Sequence, residues 1–153
     1  MRVAMLTLYP VDVTSTPGGV RTVAYNLVLG LRRYPDLDVH VIHCSSDVDR
    51  DKKERDGNIT IHFLAAPRRR LMPNMIRSVW RIRRVLRELR PDVVHSHLSW
   101  YTVAAMEEFP TLWTIHGMAF REAEIYARTL FDRLRYALTL HYVRKALRGA
   151  QHL

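Results

Sequence analysis

Short apolar runs alternate with amphipathic stretches along the whole chain, and this alternation restricts the fold more than any other feature of the sequence. A continuous apolar run of about four to eight residues is typical of a strand that is buried on both faces of a parallel sheet. Apolar residues spaced three and four apart are typical of a helix that packs one face against such a sheet. On this basis the sequence predicts strands over 2–8, 38–44, 58–65, 92–97 and 110–117.

Helices are predicted between these strands. One begins after Gly18 and Gly19, one spans 74–90 and ends at Pro91, a short one is capped by Ser99, and one covers about 121–148 with Gly149 as its C-cap. The polar, charged segment 45–58 is predicted to be a surface loop. This order of elements favours an α/β fold, a Rossmann-like, doubly wound and mostly parallel sheet flanked by helices.

The composition fits one folded domain of 153 residues, which is long enough to bury a single core. A hydrophobic fraction of 48% argues against disorder. The single cysteine, Cys44, excludes an intramolecular disulfide and a cysteine zinc site, and it favours a reducing compartment. The N-terminal apolar run is shorter than a secretion signal requires, and no stretch approaches the ~20 apolar residues of a membrane-spanning helix. We therefore expect a cytoplasmic protein.

The charge balance points to anionic partners. Lysine and arginine number 24 against 15 aspartates and glutamates, which gives a formal net charge of +9. Such an excess favours lipid headgroups, nucleic acid or phosphorylated substrates. The basic residues are not interleaved with aromatic residues in a base-stacking pattern, so nucleic acid is the least favoured of the three.

A glycine pair, Gly18 and Gly19, follows the first strand and opens the first helix. The carboxyl ends of parallel strands are the edge at which open α/β sheets bind ligands. Glycine permits positive φ and close backbone approach, and a helix N-terminus attracts anions. Neither GxGxxG nor a P-loop motif is present, so the residues alone leave a plain turn and a phosphate site both open. Arg21, early in the helix, favours the anion.

Three histidines follow the next strands at the same predicted edge. His95 and His97 alternate on one strand and therefore point to one face, while His116 precedes Gly117 at the end of the following strand. Two such histidines can bind a metal, but no carboxylate lies at ligand spacing beside them, so a polar cleft lining is favoured. A metal-dependent hydrolase built on the three histidines is kept as an alternative. A neutral His116 can donate a hydrogen bond to a hydroxyl or an anion.

The predicted helix over 74–90 carries an apolar stripe on one side and arginines on the other. A helix that packs on the sheet and exposes a solvated arginine face explains this pattern. Contact of the basic face with an anionic membrane surface is compatible with the same pattern, since each basic residue contributes about 1 kcal/mol there. The predicted membrane contacts are Arg69, Arg70, Arg77, Trp80, Arg81 and Arg84.

Taken with their spacing, these segments resemble the N-terminal domain of a family 4 retaining glycosyltransferase of the GT-B fold. The segments that carry the resemblance are RVAMLTLYP, PGGVRTVAYNLVLGL, LDVHVI, RPDVVHSHLSW, PTLWTIHG and KALRGAQHL. The resemblance implies site roles for the residues already singled out. Gly18, Gly19 and Arg21 would approach the donor diphosphate, His116 would be the catalytic residue near the transferred sugar, and His95, His97 and Gly117 would contact the acceptor or sugar.

The resemblance also implies a reaction and a second domain. Such enzymes transfer a sugar, here of the hexosyl type, from a nucleotide-sugar donor to a glycan or lipid-linked acceptor with retention and without a metal or other cofactor. Their C-terminal domain holds most of the nucleotide. We therefore expect residues 1–153 to be the acceptor-side domain, apparently truncated, inactive alone and completed by a C-terminal GT-B domain in cis or in trans. The basic helix suits a peripheral position at the inner face of the cell membrane. A non-catalytic, membrane-associated binding module of the same fold is the alternative.

Overall fold

The protein is built around one six-stranded sheet. Its computed structural model describes residues 1–12, 18–66, 74–117, 121, 125 and 128–150. The elements in chain order are β1 (Arg2–Leu6), α1 (Gly19–Leu31), β2 (Asp38–Ser45), β3 (Lys52–Asp56), β4 (Ile59–Ala65), α2 (Asn74–Leu89), β5 (Val93–Ser96), α3 (Ser99–Ala105), β6 (Thr111–Trp113) and α4 (Leu130–Gly149). The strands lie in the order β3-β4-β2-β1-β5-β6. All neighbouring pairs are parallel except β3 with β4. The predicted doubly wound, mostly parallel sheet is confirmed.

The two faces of the sheet bury two separate apolar clusters, because successive side chains of a strand point to opposite faces. On β1, Ala4 and Leu6 join the cluster that contains Ile82 and Leu86 of α2. Met5, between them, joins the cluster that contains Ala24 and Val28 of α1. Burial on both faces explains why β1 is a continuous apolar run rather than an alternating one.

Helix α2 keeps its predicted position and packs by its apolar stripe. Ile82 and Leu86 are fully buried against the sheet, and truncating either to alanine would cost about 2–5 kcal/mol. The helix ends where Arg90 takes a left-handed backbone conformation with φ 48°, and Pro91 follows it. A proline at that position cannot continue the helix.

The prediction that 45–58 is a surface loop is wrong over its second half, where β3 pairs with β4. Lys52 lies opposite Phe63 and Asp56 opposite Ile59. Every residue of β3 is exposed, so the strand has no buried face to produce an apolar pattern. Charged side chains on an edge strand discourage pairing with another chain, which accounts for a strand built from KKERD.

Two predicted helix caps are also wrong. Ser99 is the first residue of α3 and is buried, while Leu98 takes the extended N-cap conformation without a side-chain hydrogen bond. Gly149 is the last residue of α4, and Ala150 is its C-cap. A Cβ at Gly149 would lie 2.7 Å from the Sδ of Met106, so this glycine permits close packing rather than a left-handed turn. The start of α4 has a capping box between Thr129 and Asp132.

Candidate functional site

The order of the strands defines one crevice at the carboxyl edge of the sheet. From β1 the chain runs outward through β2 and β4 on one side, and later enters β5 on the other side of β1. In open α/β sheets ligands bind outside the carboxyl ends of the strands at this switch point. The backbone N–H of His97 donates to the carbonyl oxygen of Leu6 at 2.9 Å, so the end of β5 and the end of β1 meet there.

The three predicted histidines are brought together at this edge. His95 pairs with Met5 in the β1–β5 register and therefore lies on the face that α1 covers. The ring centroids of His95 and His97 are 4.5 Å apart, and those of His97 and His116 are 4.9 Å apart. The Nε2 of His116 lies 3.0 Å from the Nδ1 of His97. We call these three residues the histidine cluster.

Burial keeps two residues of the histidine cluster, His95 and His97, uncharged. His97 is only 3% exposed, and this burial, together with the neighbouring rings of His95 and His116, lowers the pKa of His97 to about 3. Burial and the nearby His116 also lower the pKa of His95. Both imidazoles are therefore neutral at physiological pH. They add no positive charge to this edge of the sheet.

The N-terminus of α1 lies at the same edge, on the β2 side of β1. Gly18 is the N-cap with φ 93° and ψ 143°, a conformation that is open only to glycine, and its carbonyl accepts from the N–H of Thr22. A Cβ placed at Gly18 or Gly19 would meet no atom of the described residues within 4 Å. Gly18 is thus needed for its backbone angle, and no described residue fills the space beside either glycine.

Arg21 is paired within the protein. Its guanidinium donates to the Oδ2 of Asp47 at 2.5 Å, and the Oδ1 of Asp47 lies 3.0 Å from the Nε2 of the fully buried His43. The Nδ1 of His43 accepts from the backbone N–H of Tyr9 at 3.0 Å. Burial opposes ionisation of Asp47, but hydrogen bonds from Ser45, Arg21 and His43 outweigh it and lower the pKa of this carboxyl to about 2. The network joins α1 to the segments that follow β1 and β2.

Three residues of this edge were missed by the sequence prediction. Thr114 binds the histidine cluster through its Oγ1, which lies 2.8 Å from the Nε2 of His95. Its spacing of two from His116 was a usable signal, because alternate residues of an extended segment share a side. Asp47 and His43 carried no comparable signal, since the pairing of Asp47 with Arg21 depends on the tertiary fold.

The predicted membrane-contact residues are placed unevenly. Trp80 is 75% exposed, and the side chain of Arg84 is 84% exposed beside Glu88. Arg81 is only partly exposed and forms an ion pair with Asp51, before β3. The sequence predicted a solvated arginine face opposite the apolar stripe. Of Arg81 and Arg84, only Arg84 is largely exposed, so this face is smaller than predicted.

The other basic candidates add less to this surface. Arg77 is only partly exposed, and Arg69 and Arg70 lie outside the described residues. A second exposed apolar group occupies the first turns of α4, where Leu130, Phe131 and Leu134 are each more than half exposed. No described helix is both long enough and apolar enough to cross a membrane.

The alternative of a metal-dependent hydrolase finds no support in the described part of the chain. Nowhere in that part do three or more histidine, cysteine, aspartate or glutamate side chains form a group that could hold a metal ion. Two nitrogens of the histidine cluster face each other instead of converging on a common point. His97 and His116 are therefore arranged to hydrogen-bond to each other.

A doubly wound, mostly parallel sheet flanked by helices places this protein in the Rossmann-like fold class. The chain belongs to Glycosyltransferase Family 4, whose family model matches residues 17–153. It is an N-terminal glycosyltransferase domain, as the resemblance implied. No curated protein matches the sequence significantly.

Two solved structures are similar to this chain. Sucrose-phosphate synthase from Thermosynechococcus elongatus superposes with a TM-score of 0.59 at 15% identity, over 89% of this chain and 39% of that one. The α,α-trehalose 6-phosphate synthase from Burkholderia multivorans has a TM-score of 0.49 at 15% identity, over 75% of this chain and 32% of that one. This chain thus spans well under half the length of either enzyme. The first likeness confirms the predicted fold, a Rossmann-like half of the GT-B architecture.

Proposed function

We propose that this domain forms the acceptor side of a retaining glycosyltransferase, which moves a hexosyl group from a nucleotide-sugar donor to a glycan or lipid-linked acceptor. The observation that carries the proposal is the histidine cluster at the switch point of a Glycosyltransferase Family 4 domain. Gly18 and Gly19 open a helix N-terminus at the same edge. Neutral imidazoles and backbone N–H groups are suited to hydroxyl and phosphate oxygens respectively.

In the proposed reaction the bond between the anomeric carbon and the donor diphosphate breaks. A bond from an acceptor hydroxyl oxygen to the same carbon forms on the same face, and the hydroxyl proton passes to an oxygen of the leaving diphosphate. The N-terminus of α1, at Gly18 and Gly19, would stabilise the charge that develops on that diphosphate. His116 would hold the transferred sugar, and His95 and Gly117 would lie toward the acceptor or sugar. His97, expected from sequence to share that contact, is buried and would act through His116. No metal or other cofactor is part of this proposal.

Arg21 enters the proposal in a changed role. Because its guanidinium already binds Asp47, it would orient the N-terminus of α1 and add positive potential near the diphosphate. Direct contact with the phosphate would require the ion pair with Asp47 to open. The neutral state of His97 and His95 leaves backbone N–H groups and the second domain to supply the remaining stabilisation of charge.

The proposal predicts that the chain alone has no transferase activity and gains it with a C-terminal GT-B domain in cis or in trans. The test measures nucleoside diphosphate release from a panel of nucleotide-sugars, with the chain alone and with a separately produced family 4 C-terminal domain. His116→Ala should abolish release from the combined domains. His141→Ala removes an exposed histidine of α4, away from the carboxyl edge, and serves as the matched control. Turnover by the chain alone would overturn the two-domain proposal.

Ligand contact can be tested separately by amide NMR of the labelled chain. Titration with a nucleoside diphosphate should shift the resonances of Gly18, Gly19 and Arg21, because the proposal places the diphosphate at the N-terminus of α1. Shifts confined to residues at the amino edge of the sheet, such as Arg2 and Asn58, would contradict this placement.

The alternative, a non-catalytic membrane-associated module, shares one feature with the main proposal: contact with an anionic membrane. The exposed Trp80 and Arg84 favour a cytoplasmic domain held peripherally at the inner face of the cell membrane. The exposed apolar residues Leu130, Phe131 and Leu134 of α4 offer further area that could enter the headgroup layer. Such contact would bring a lipid-linked acceptor toward the domain.

Co-sedimentation with vesicles tests the membrane contact. Phosphatidylcholine vesicles containing phosphatidylglycerol should bind the chain, and pure phosphatidylcholine vesicles should bind it weakly. The double variant Trp80→Ser with Arg84→Glu should lose most of the binding. Arg33→Glu, an equal charge change just after α1, is the control. Equal losses in both variants would indicate attraction to net charge alone, and unchanged binding in the double variant would exclude this face of α2.

A further inference from the structure

The two ring nitrogens of His97 have different surroundings. Its Nδ1 lies 3.0 Å from the Nε2 of His116. Its Nε2 is buried and has no hydrogen-bond partner among the residues that the structure describes. The backbone N–H of His97 donates to the carbonyl of Leu6, and the residue is only 3% exposed.

A neutral imidazole carries one proton, on one of its two nitrogens. If the proton of His97 were on Nε2, a donor would be buried without an acceptor, which folded proteins rarely tolerate. If the proton is on Nδ1, it is used in the hydrogen bond to His116, and Nε2 is left as an unpaired acceptor, which is the less severe defect. The hydrogen-bond pattern therefore assigns the proton of His97 to Nδ1.

The tautomer of His97 determines which ring nitrogen of His116 carries the proton. Since His97 donates from Nδ1, the Nε2 of His116 must be the acceptor, and a neutral His116 carries its proton on Nδ1. His116 is exposed, and its Nδ1 has no partner among the described residues. That N–H is consequently available to a ligand at the carboxyl edge of the sheet.

We propose that His97 is a positioning residue that fixes His116 as the Nδ1–H tautomer, so that His116 presents a hydrogen-bond donor to the ligand. The group that His116 binds is then an acceptor, a hydroxyl or phosphate oxygen of the substrate. The identity of that ligand rests on the proposed function, whereas the tautomer rests on the geometry of the two rings alone. His95 has a separate partner in Thr114, and this leaves the pairing of His97 with His116 undisturbed.

Nitrogen NMR measures the tautomer directly. In the ¹⁵N-labelled chain, long-range couplings from the ring carbon-bound protons distinguish a protonated ring nitrogen from a bare one. Measured without ligand at mildly alkaline pH, His116 should show a protonated Nδ1 and a bare Nε2. The reverse pattern for His116 in the wild-type chain would overturn the proposal, and this result needs no variant to fold.

Two variants of His97 supply a matched comparison. His97→Asn keeps an N–H donor close to the position of Nδ1, and His97→Phe keeps an aromatic ring without any donor. The Asn variant should retain the Nδ1–H tautomer of His116, and the Phe variant should shift His116 toward the Nε2–H form. An unchanged tautomer in a folded Phe variant, judged by its amide spectrum, would show that His97 does not control His116.

The same variants separate this proposal from the proposed function. In the two-domain transferase assay, His97→Phe should lower kcat/KM by about tenfold, the loss expected when one hydrogen bond of the site is removed, and His97→Asn should restore most of it. The expected tautomer with no transferase activity in any combination would leave the role of His97 intact and reject the transferase. Transferase activity together with the Nε2–H tautomer of His116 would support the transferase and reject the proposed role of His97.

Discussion

Arg21 on α1 donates to the carboxylate of Asp47, which follows β2, at 2.5 Å. The sequence marks Arg21 as a phosphate ligand, yet its charge is already balanced by a carboxylate of the same domain. The same carboxylate binds the buried His43. One aspartate thus ties the N-terminal end of α1 to the interior of the sheet, which makes Asp47 the more important partner for stability.

We predict that Asp47→Asn lowers the free energy of unfolding by about 1–3 kcal/mol, because the buried ring of His43 loses a charged acceptor. Arg21→Gln should cost no more than about 1 kcal/mol, since it removes only a partly exposed ion pair. Urea denaturation of both variants at neutral pH measures the two losses. A larger loss for Arg21→Gln than for Asp47→Asn would show that the ion pair, and not the bond to His43, is the stabilising contact.

Gly18 and Gly19 form a natural pair of matched sites, since a Cβ at either meets no described atom within 4 Å and, of the two, only Gly18 has a positive φ. We predict that Gly18→Ala destabilises the domain by about 1–3 kcal/mol through backbone strain. Gly19→Ala, in the first turn of α1, should stabilise it by up to about 1 kcal/mol by restricting the unfolded chain. Thermal and urea unfolding of both variants decides between them. A similar loss in both variants would mean that space, and not φ, determines the need for glycine.

The sequence predicts those elements whose residues are buried on one or both faces. The β1 run and the apolar stripe of α2 follow from burial, which leaves a pattern in the sequence. The edge strand β3 has no buried face, so its charged residues look like those of a loop. The histidine cluster was foreseen as a set because the carboxyl ends of parallel strands converge, which topology alone dictates.

Pairwise contacts between distant segments were not predictable in the same way. The bonds of Arg21 to Asp47 and of Arg81 to Asp51 join residues 26 and 30 positions apart. Each places a basic side chain, expected to face a ligand or membrane, against a carboxylate in the segment between β2 and β3. Arginine is a suitable residue for binding an anion, as the sequence indicates. In the folded domain, however, both arginines bind aspartates of the same chain.

Tyr101 is fully buried and bonds twice to the backbone of Cys44, donating to its carbonyl at 2.6 Å and accepting from its N–H at 3.2 Å. We predict that Tyr101→Phe costs about 1–3 kcal/mol of unfolding free energy, because both backbone groups of Cys44 lose a partner in the core. Tyr142 is the matched control. It is also buried, and its hydroxyl has no hydrogen bond to any described residue.

Tyr142→Phe should therefore change the free energy of unfolding by less than about 0.5 kcal/mol. Urea denaturation of the two tyrosine variants gives the comparison. Equal losses would show that the hydroxyl of Tyr101 contributes no more than a hydroxyl without a partner, and the link from α3 to β2 would then rest on apolar packing.

Acid should destabilise the domain well before its carboxylates titrate. Burial lowers the pKa of His62 to about 4, with His40 and Lys53 adding to the shift, and it lowers the pKa of His97 to about 3. The unfolded chain takes up these protons near pH 6.5, whereas the folded chain does not. A lowered folded-state pKa therefore gives full stability above about pH 6.5, and that stability declines as the pH falls toward 4.

Each of these histidines should contribute a slope of up to about 1.4 kcal/mol per pH unit to the free energy of unfolding below pH 6.5. His62→Gln keeps a polar group beside His40 and removes one titrating ring. The slope should therefore fall by the contribution of about one proton, and in the double variant of His62→Gln with His97→Asn by the contribution of about two protons. Urea denaturation at several pH values between about 7 and 4.5 measures the slopes. If the single variant keeps the wild-type slope, His62 takes up its proton without unfolding. The hydrogen bond between the Nδ1 of His40 and the Nε2 of His62, which are 3.0 Å apart, must then open in the native state.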